Sequence, residues 1–224
     1  MHQTSIDPDD IEGSPARTGK LSSLLLVEEV NHRVFNDYTV ATLQLANVAA
    51  HLGIQEARSS LQEAARQLQA HAAVHRALCP PVGDDALDLA SYFEQICGAI
   101  WEARLREHAI HLVLATESVL VEKARGWRAG LILSELITNA ARHGLRGQSG
   151  RIVVRMAQMD GEVVSTVCDD GHPTSRLASP GRGCSVVRGL TDDLGGRVRW
   201  RFAPHGAQVR FAFPVSPSDV RPRR

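Results

Sequence analysis

The sequence predicts an α+β fold, in which a helical hairpin precedes a second domain with helices on one face of a mixed sheet. Apolar residues recur in steps of three and four from Val27 to Val48, the period of a helix that buries one stripe. A proline- and aspartate-rich stretch at 80–85 then breaks the helical pattern. Beyond it, short segments of alternating apolar residues flank turns such as Asp160-Gly161, which indicates strands between helices.

The first two predicted helices form the hairpin. The first spans 21–52 and ends near Gly53, because glycine favours the left-handed turn that closes a helix. The second continues to Leu78, and its His75 faces the apolar stripe, where we assign it a structural role. A lone hairpin would leave most of this stripe exposed, so we expect two copies to pair into a four-helix bundle and the protein to be a homodimer.

Five segments follow from these patterns. They are a disordered lead-in at 1–20, the hairpin at 21–79, a linker at 80–85, the second domain at 86–215 and a tail at 216–224. In the second domain we expect helices at 87–107, 122–143 and 184–194, and strands at 111–115, 151–156, 163–168, 198–202 and 208–213.

Composition limits the partners and the location. Lysine plus arginine and aspartate plus glutamate both total 25, a balance that favours neither nucleic acid nor an anionic membrane. The four cysteines have no metal-ligand spacing and suit a reducing cytosol. No apolar run approaches the roughly 20 residues of a membrane span, and no signal peptide is evident. We therefore expect a cytoplasmic protein, with no room for a sensor module.

His32 lies on the exposed face of the first predicted helix, about 200° around from the apolar residues on either side of it. Glu28 and Asn36 share this face at spacings of four, and Glu29 stands three residues before the histidine. Carboxylates beside an exposed imidazole form a plausible phosphoacceptor arrangement. Taken alone, a solvated surface histidine is the more ordinary interpretation.

A second polar group lies on the predicted helix at 122–143. Glu135 and Asn139 are four residues apart and share one face, and Arg142 and His143 extend the same edge towards a possible phosphate. Hard oxygen ligands together with phosphate are what Mg²⁺ prefers. The alternative is an ordinary amphipathic helix with its polar side in solvent.

Two glycine-containing segments follow downstream. Asp169 ends an apolar strand and could accept a hydrogen bond from an adenine amine, and Gly171 would let the backbone approach the ring. Gly181 and Gly183 stand directly before a helix, whose first N–H groups could cradle phosphate. A β-turn and a simple loop are the respective alternatives.

In this order, the segments at 131–144, 167–171 and 181–187 resemble the N, G1 and G2 boxes of the GHKL-type ATPase fold, shared by histidine kinases, gyrase, the Hsp90 chaperones and MutL. The segment from Glu29 to Asn36 resembles the E-x-x-H-R-V-x-N H box of HWE-like histidine kinases. The resemblance extends from about 21 to 215. It implies an α/β-sandwich ATP-binding domain behind a histidine-phosphotransfer hairpin.

The resemblance also implies roles for single residues. Asn139 would be the Mg²⁺ ligand, with Glu135 orienting the site, and Asp169 would contact adenine. His32 would be the phosphoacceptor, supported by Glu29. The remaining residues carried over are Asn36, which would position water, and the nucleotide-binding Arg142, His143, Gly171, Gly181 and Gly183.

The implied function is that of a sensor-less cytoplasmic histidine kinase. It would autophosphorylate on His32 with Mg·ATP and pass the phosphoryl group to an aspartate of a response-regulator receiver domain. Phe35 and Asp37 replace the usual lysine and asparagine of the H box, which alters the surface where a partner docks.

Two alternatives stay open. The G1 segment lacks its usual second glycine and the lid at 172–180 is short, which favours a histidine phosphotransferase whose second domain is degenerate. A non-catalytic protein that sequesters a regulator is the third reading, and it would make His32 dispensable.

Overall fold

The computed structural model describes residues 33–34, 36–51, 54–80, 86–172 and 182–215. The predicted lead-in, most of the linker and the tail lie outside these residues. Helix α1 covers 36–51 and α2 covers Gln55–Ala77. The ring of Tyr38, early in α1, stacks on that of His75, late in α2, with centroids 5.5 Å apart. The two helices therefore run antiparallel, and His75 lies inside the hairpin.

The hairpin leaves large apolar side chains on the surface of α1. Thr42 and Ala49 are buried, whereas Val40, Leu43 and Val48 are 53%, 65% and 53% exposed. These three side chains are not covered by α2. Uncovered apolar surface of this kind is typical of a helix that pairs with another chain.

The second domain contains three long helices and a five-stranded sheet. The helices are α3 at Leu89–Ile100, α4 at Lys123–Asn139 and α5 at Arg182–Asp193. The strands are β1 at Ala86–Asp88, β2 at Ile110–Thr116, β3 at Leu120–Glu122, β4 at Gly150–Met159, β5 at Glu162–Asp169, β6 at Arg197–Ala203 and β7 at Gly206–Pro214. Five of them form the sheet in the order β2-β4-β5-β7-β6, in which β2 and β4 are parallel and the other pairs antiparallel.

One face of this sheet carries the core. Alternate residues of β4, among them Ile152, Val154 and Met156, are buried together with side chains of α3, α4 and α5. The opposite face carries the intervening residues. Helices on one side of a mixed sheet match the predicted architecture.

A small second sheet was not predicted. β1 pairs antiparallel with β3, so the chain at 86–88 is extended where the sequence indicated the start of a helix. Asp88 then caps α3, because its carboxylate accepts hydrogen bonds from the backbone N–H (3.3 Å) and the hydroxyl (2.7 Å) of Ser91. Strands of three residues are too short for alternation to be recognised.

Two predicted helices end in π-helical turns. α3 continues as a π turn at Trp101–Leu105 and a 3₁₀ turn at Arg106–His108, and α4 continues as a π turn at Ala140–Gly144. A π turn contains about one more residue than an α-helical turn, which hardly alters the apolar pattern. The sequence therefore predicts each helix and its π turn as one continuous helix. The second π turn lies beside the candidate site.

The end of α2 belongs to the core of the second domain. Val74 and Ala77 join the same apolar cluster as α3 and α4. The hydroxyl of Tyr92 donates to the carbonyl of Ala77 (2.9 Å), and Nε1 of Trp127 donates to the carbonyl of Leu78 (2.9 Å). The hairpin is therefore fixed to the sheet domain before the chain reaches the predicted linker.

Candidate functional site

The centre of the site is one face of α4. Glu135 and Asn139 are half-buried and one turn apart, and Nδ2 of Asn139 donates to Oε1 of Glu135 at 3.1 Å. This hydrogen bond fixes the Asn139 amide, so its oxygen is the atom left to act as a ligand. The predicted pair is thus brought together as one unit.

The π turn at Ala140–Gly144 leads from Glu135 and Asn139 towards Asp169 at the end of β5. A Cβ on Gly144 would collide with the carboxylate of Asp169, and a Cβ on Gly171 would collide with the carbonyl of Gly144. Gly206, at φ +139°, lies equally close to the carbonyl of Asp169. The end of β5 is therefore enclosed by three glycines, and only backbone without side chains fits around Asp169.

The two adjacent aspartates have different roles. Oδ1 of Asp170 accepts a hydrogen bond from the backbone N–H of Arg151 at 2.7 Å, which ties the exposed Asp170 to β4. Oδ1 of Asp169 accepts from the backbone N–H of Gly171 at 3.1 Å, and the Asp169 side chain is half-buried. These contacts favour Asp169 over Asp170 as the predicted ligand contact.

The environment of Asp169 disfavours its charge. Burial raises the pKa of its carboxyl above the ordinary value, although the backbone N–H groups of Gly171 and Ala207 act in the opposite direction. The neighbouring Asp170 adds to the upward shift of this pKa. A carboxylate with unmet capacity to accept hydrogen bonds would gain from a ligand that donates one.

The start of α5 closes against the α4 pair. A Cβ on Gly183 would collide with Oε1 of Glu135 and would lie 3.2 Å from Nδ2 of Asn139. Only glycine allows the first turn of α5 to approach this closely. The predicted glycine thus lies beside the predicted metal ligand.

Two histidines stand where the chain leaves the site. The backbone N–H of His172 donates to the carbonyl of Gly144 (3.1 Å), and Nδ1 of His172 lies 3.1 Å from the carbonyl oxygen of Pro204. The His205 ring stands edge-on to that of His172, with centroids 5.9 Å apart. These contacts join the ends of β5 and β6 at the entrance to the segment 173–181.

The other predicted residues are less closely gathered. Arg142 and His143 are on the π turn with exposed side chains, and neither has a recorded contact with the α4 pair. Asn36 is exposed on α1. His32, Glu29 and Gly181 lie outside the described residues. The structure therefore leaves the role of this second set a prediction.

Several supporting residues were missed from sequence. Gly144 and Gly206 enclose Asp169 as closely as the predicted Gly171 does. Nη1 of Arg104, on the π turn after α3, donates to the hydroxyl of Thr138, next to Asn139 (3.2 Å). The glycines adjoin predicted elements, so a search for glycines at element ends would have found them. No sequence signal indicates the Arg104 contact.

These residues fit a nucleotide with its metal ion. The Asn139 amide and the Glu135 carboxylate supply the hard oxygen donors that Mg²⁺ prefers. The glycines around Asp169 keep side chains away from this hydrogen-bond acceptor. Adenine, whose amine is a donor, has the complementary chemistry.

The sheet order, the helices on one face, and the polar residues of α4, β5 and α5 together define a GHKL-type ATPase domain. Residues 102–213 match the family described as "Histidine kinase-like ATPase domain", and residues 29–104 match the family described as "Histidine kinase". The chain belongs to the histidine kinase family. The predicted fold class and the predicted family are confirmed by these matches, whereas the predicted domain boundaries stay a prediction.

Individual relatives agree with this assignment. The chain is 28% identical over 218 residues to blue-light-activated histidine kinase 2 of Erythrobacter litoralis, covering 91% of this chain and 60% of that protein. It is 24% identical over 193 residues to the sensor histidine kinase PdtaS of Mycolicibacterium smegmatis, covering 83% of this chain and 38% of that one. The chain thus spans less than two thirds of the length of these relatives.

Solved structures show the same fold. The histidine kinase domain of the blue-light-activated kinase EL346 from Erythrobacter litoralis is 26% identical, with a TM-score of 0.57, and the match covers 81% of this chain and 98% of that domain. The catalytic domain of the histidine kinase ThkA is 23% identical, with a TM-score of 0.52 over 62% of this chain and 99% of that one, and supports the fold alone. Among the described residues, no helix has the length and apolar character needed to cross a membrane.

Proposed function

We propose that this chain transfers the γ-phosphoryl group of Mg·ATP to His32 and then to an aspartate of a response-regulator receiver domain. The observation that carries the proposal is the grouping of Glu135 and Asn139 with Gly183, beside the glycine-enclosed Asp169. The family match at 29–104 includes His32 and Glu29. Cytoplasmic location stays a prediction, to which the four cysteines, none of them in a disulfide, are suited.

The chain's own residues divide the work. Asp169 would accept a hydrogen bond from the adenine amine and so orient the nucleotide. The Asn139 oxygen would hold the Mg²⁺, which when bound neutralises phosphate charge, and Glu135 would keep the amide in position. The first N–H groups of α5 would face the phosphates.

The transfer itself needs an accessible, neutral imidazole. A ring nitrogen of His32 would form a bond to the γ-phosphorus while the bond from that phosphorus to the β–γ bridging oxygen breaks and ADP leaves. Glu29 or Glu28 would hold the other ring N–H and stabilise the positive charge on the ring. In the second transfer, a receiver carboxylate oxygen would attack the phosphorus and the N–P bond would break.

Phosphorylation of His32 is tested with γ-labelled ATP. The wild-type chain should acquire acid-labile, base-stable label, and His32→Ala should acquire none. His51→Ala is the matched control, because His51 is exposed on α1 and its Nδ1 lies 2.8 Å from the carbonyl oxygen of Asn47. Acid-labile label on His32→Ala, or its loss from His51→Ala, would contradict the assignment.

The second candidate function is phosphotransfer without ATP, which the short lid favours. Calorimetry with Mg·ATP separates the two. Asn139→Ala should weaken binding that depends on Mg²⁺, whereas Asp169→Asn should weaken ADP and ATP alike, by about tenfold or more for one lost charged hydrogen bond. No binding to the wild-type chain at millimolar ATP would reject the kinase. Label passing from a phosphorylated receiver to His32 would then identify the phosphotransferase.

The binding-protein alternative is tested with the same variants. If His32→Ala still suppresses the activity of a receiver in vivo, sequestration without phosphotransfer explains the function. We expect instead that the variant is inactive, because the transfer needs the imidazole nitrogen.

A further inference from the structure

The outer face of the sheet, opposite the helices, carries a cluster of arginines that the nucleotide site does not use. Arg197, Arg199 and Arg201 alternate along β6, and Arg210 projects from β7 beside them. All four line one cavity of about 320 Å³, together with Gln208 and Ala212. We call this the arginine cluster.

The alternation of β6 fixes the direction of these side chains. Val198 and Trp200 pack against the core, so the residues between them must point to the other face. The ring of Trp200 also lies under the guanidinium of Arg188 from α5, 5.0 Å from its centroid, which confirms that it faces the helices. The cluster is therefore separated from Asp169 and the α4 pair by the thickness of the sheet.

The register places like charges directly opposite one another. Arg199 pairs with Arg210 across the β6–β7 ladder, and Arg197 and Arg201 are the next residues on the same face. Like charges directly opposite each other destabilise a sheet. A cluster of this kind costs folding free energy unless an anion neutralises it.

Little in the chain provides that neutralisation. Arg197 forms a two-pronged ion pair with Glu162, whose pKa is lowered chiefly by that hydrogen bond. Within the described residues, the guanidinium groups of Arg199, Arg201 and Arg210 form no ion pair. Arg210 shares the negative charge of Glu162 with Arg197, so within the described residues Arg199 and Arg201 face the cavity without a carboxylate partner.

We propose that the arginine cluster is a second anion site, which binds a compact compound carrying two or more linked phosphate groups. Arginine offers paired N–H donors that match phosphate oxygens. A single negative charge would leave most of the cluster unneutralised, and a cavity of this size lies at the small end of ligand pockets. Among the described residues no aromatic side chain lines this cavity, so the structure offers no surface for stacking of exposed bases.

The balanced charge of the whole chain conceals this cluster. With 25 basic and 25 acidic residues, composition predicts no anionic partner. The sheet collects four arginines on one face, where charge density rather than net charge decides binding.

The proposal is tested by calorimetric titration of the full chain with sodium tripolyphosphate. The buffer contains a chelator and no Mg²⁺. The wild type should bind, and Arg199→Gln with Arg201→Gln should weaken binding by about tenfold or more. Arg155→Gln is the matched control, because Arg155 projects from β4 on the same face but lines a neighbouring cavity that shares only Arg210 with the arginine cluster. It should change affinity by less than about threefold. Mg·ATP binding should survive in the double variant, which shows that it is folded. Tripolyphosphate binding should likewise survive Asn139→Ala.

Four results would overturn the proposal. The first is no binding of millimolar tripolyphosphate to the wild type, and the second is an equal loss of affinity in Arg155→Gln. The third is a loss of affinity in Asn139→Ala, which would assign the ligand to the nucleotide site. The fourth is tighter arginine-dependent binding of a DNA oligonucleotide, which would identify a nucleic-acid surface instead.

Discussion

At the scale of single residues, the carboxylate of Asp169 lies in an environment that disfavours its charge and so lowers the stability of the folded chain. Its carboxylate is half-buried, and burial raises its pKa. Three glycines surround it, and within the described residues its hydrogen bonds come from backbone N–H groups. The residue is therefore placed for binding rather than for stability.

The sign of that pKa shift gives a prediction for Asp169→Asn. The folded chain favours the protonated carboxyl more than the unfolded chain does, so ionised Asp169 destabilises the fold above its folded pKa. Without nucleotide, the variant should be at least as stable as wild type at pH 7. The stability advantage of Asp169→Asn should vanish as the pH falls below the pKa of aspartate in the unfolded chain, about 3.9.

Thermal melting at several pH values measures this, with nucleotide binding recorded in parallel. Asp170→Asn is the control, because the Asp170 carboxylate is exposed and already bonded to the backbone of β4. It should leave nucleotide binding unchanged. A clear loss of stability in Asp169→Asn at pH 7 would show that the carboxylate is structural.

Gly144→Ala is predicted to disable the site through a single methyl group. The added Cβ would meet the Asp169 carboxylate, so the aspartate must move and nucleotide affinity should fall by about tenfold or more. Gly98→Ala is the control, since a Cβ there on α3 meets nothing within 4 Å. It should raise stability by about 0.5–1 kcal/mol, because alanine is the better helix former. Equal nucleotide binding in both variants would contradict the enclosure.

At the scale of elements, the end of α2 is the link between the two halves of the chain. Its last turn shares the core of the second domain, and two side-chain donors hold its final carbonyls. Gln67, further up α2, also donates to Oε1 of Glu107 (2.6 Å). A movement of α2 must therefore reach α3 directly.

The double variant Tyr92→Phe with Trp127→Phe tests that link. Tyr92→Phe removes one hydrogen bond and keeps the ring, whereas Trp127→Phe removes the other hydrogen bond and also replaces a buried indole by a smaller ring. The two lost hydrogen bonds should cost about 1–3 kcal/mol of stability, and the volume lost at Trp127 should add to that. Chemical denaturation gives the value. Tyr38→Phe is the control, since its ring stacks with His75 and that stacking does not need the hydroxyl. A double variant as stable as wild type would show that packing alone fixes α2.

At the scale of the whole molecule, α1 is incomplete in a single chain. Val40, Leu43 and Val48 leave apolar area on its surface that α2 does not cover. We infer that a second copy covers it and completes the four-helix bundle.

Leu43→Glu is therefore predicted to dissociate the dimer. Burying one unpaired carboxylate in each copy costs several kcal/mol, which would raise the dimer dissociation constant by about a hundredfold or more. Val113→Glu introduces the same charge at another exposed apolar residue, on β2 and away from α1, and this variant should remain dimeric. Sedimentation at micromolar concentration distinguishes the two. A wild-type monomer would refute the bundle.

Much of the architecture was predictable because periodic burial leaves a trace in sequence. The strands at β4, β5, β6 and β7 alternate with turns, and their bounds agree with those predicted to within a few residues. The two π turns and the β1–β3 pair were not predictable, since a π turn hardly changes the apolar period and a three-residue strand has no period. The contact from Arg104 to Thr138 crosses 34 residues and exists only once α3 lies on α4.

The sequence by itself determined the order of the elements, the residue types at the site, and membership of the family, because these depend on local spacing. The tertiary structure alone showed that Asp170 is bonded to β4, which glycines enclose Asp169, and that α2 completes the second core. It also brought four arginines from two strands into one cluster. Such relations join residues that lie far apart along the chain, and strand pairing and core packing alone bring them together.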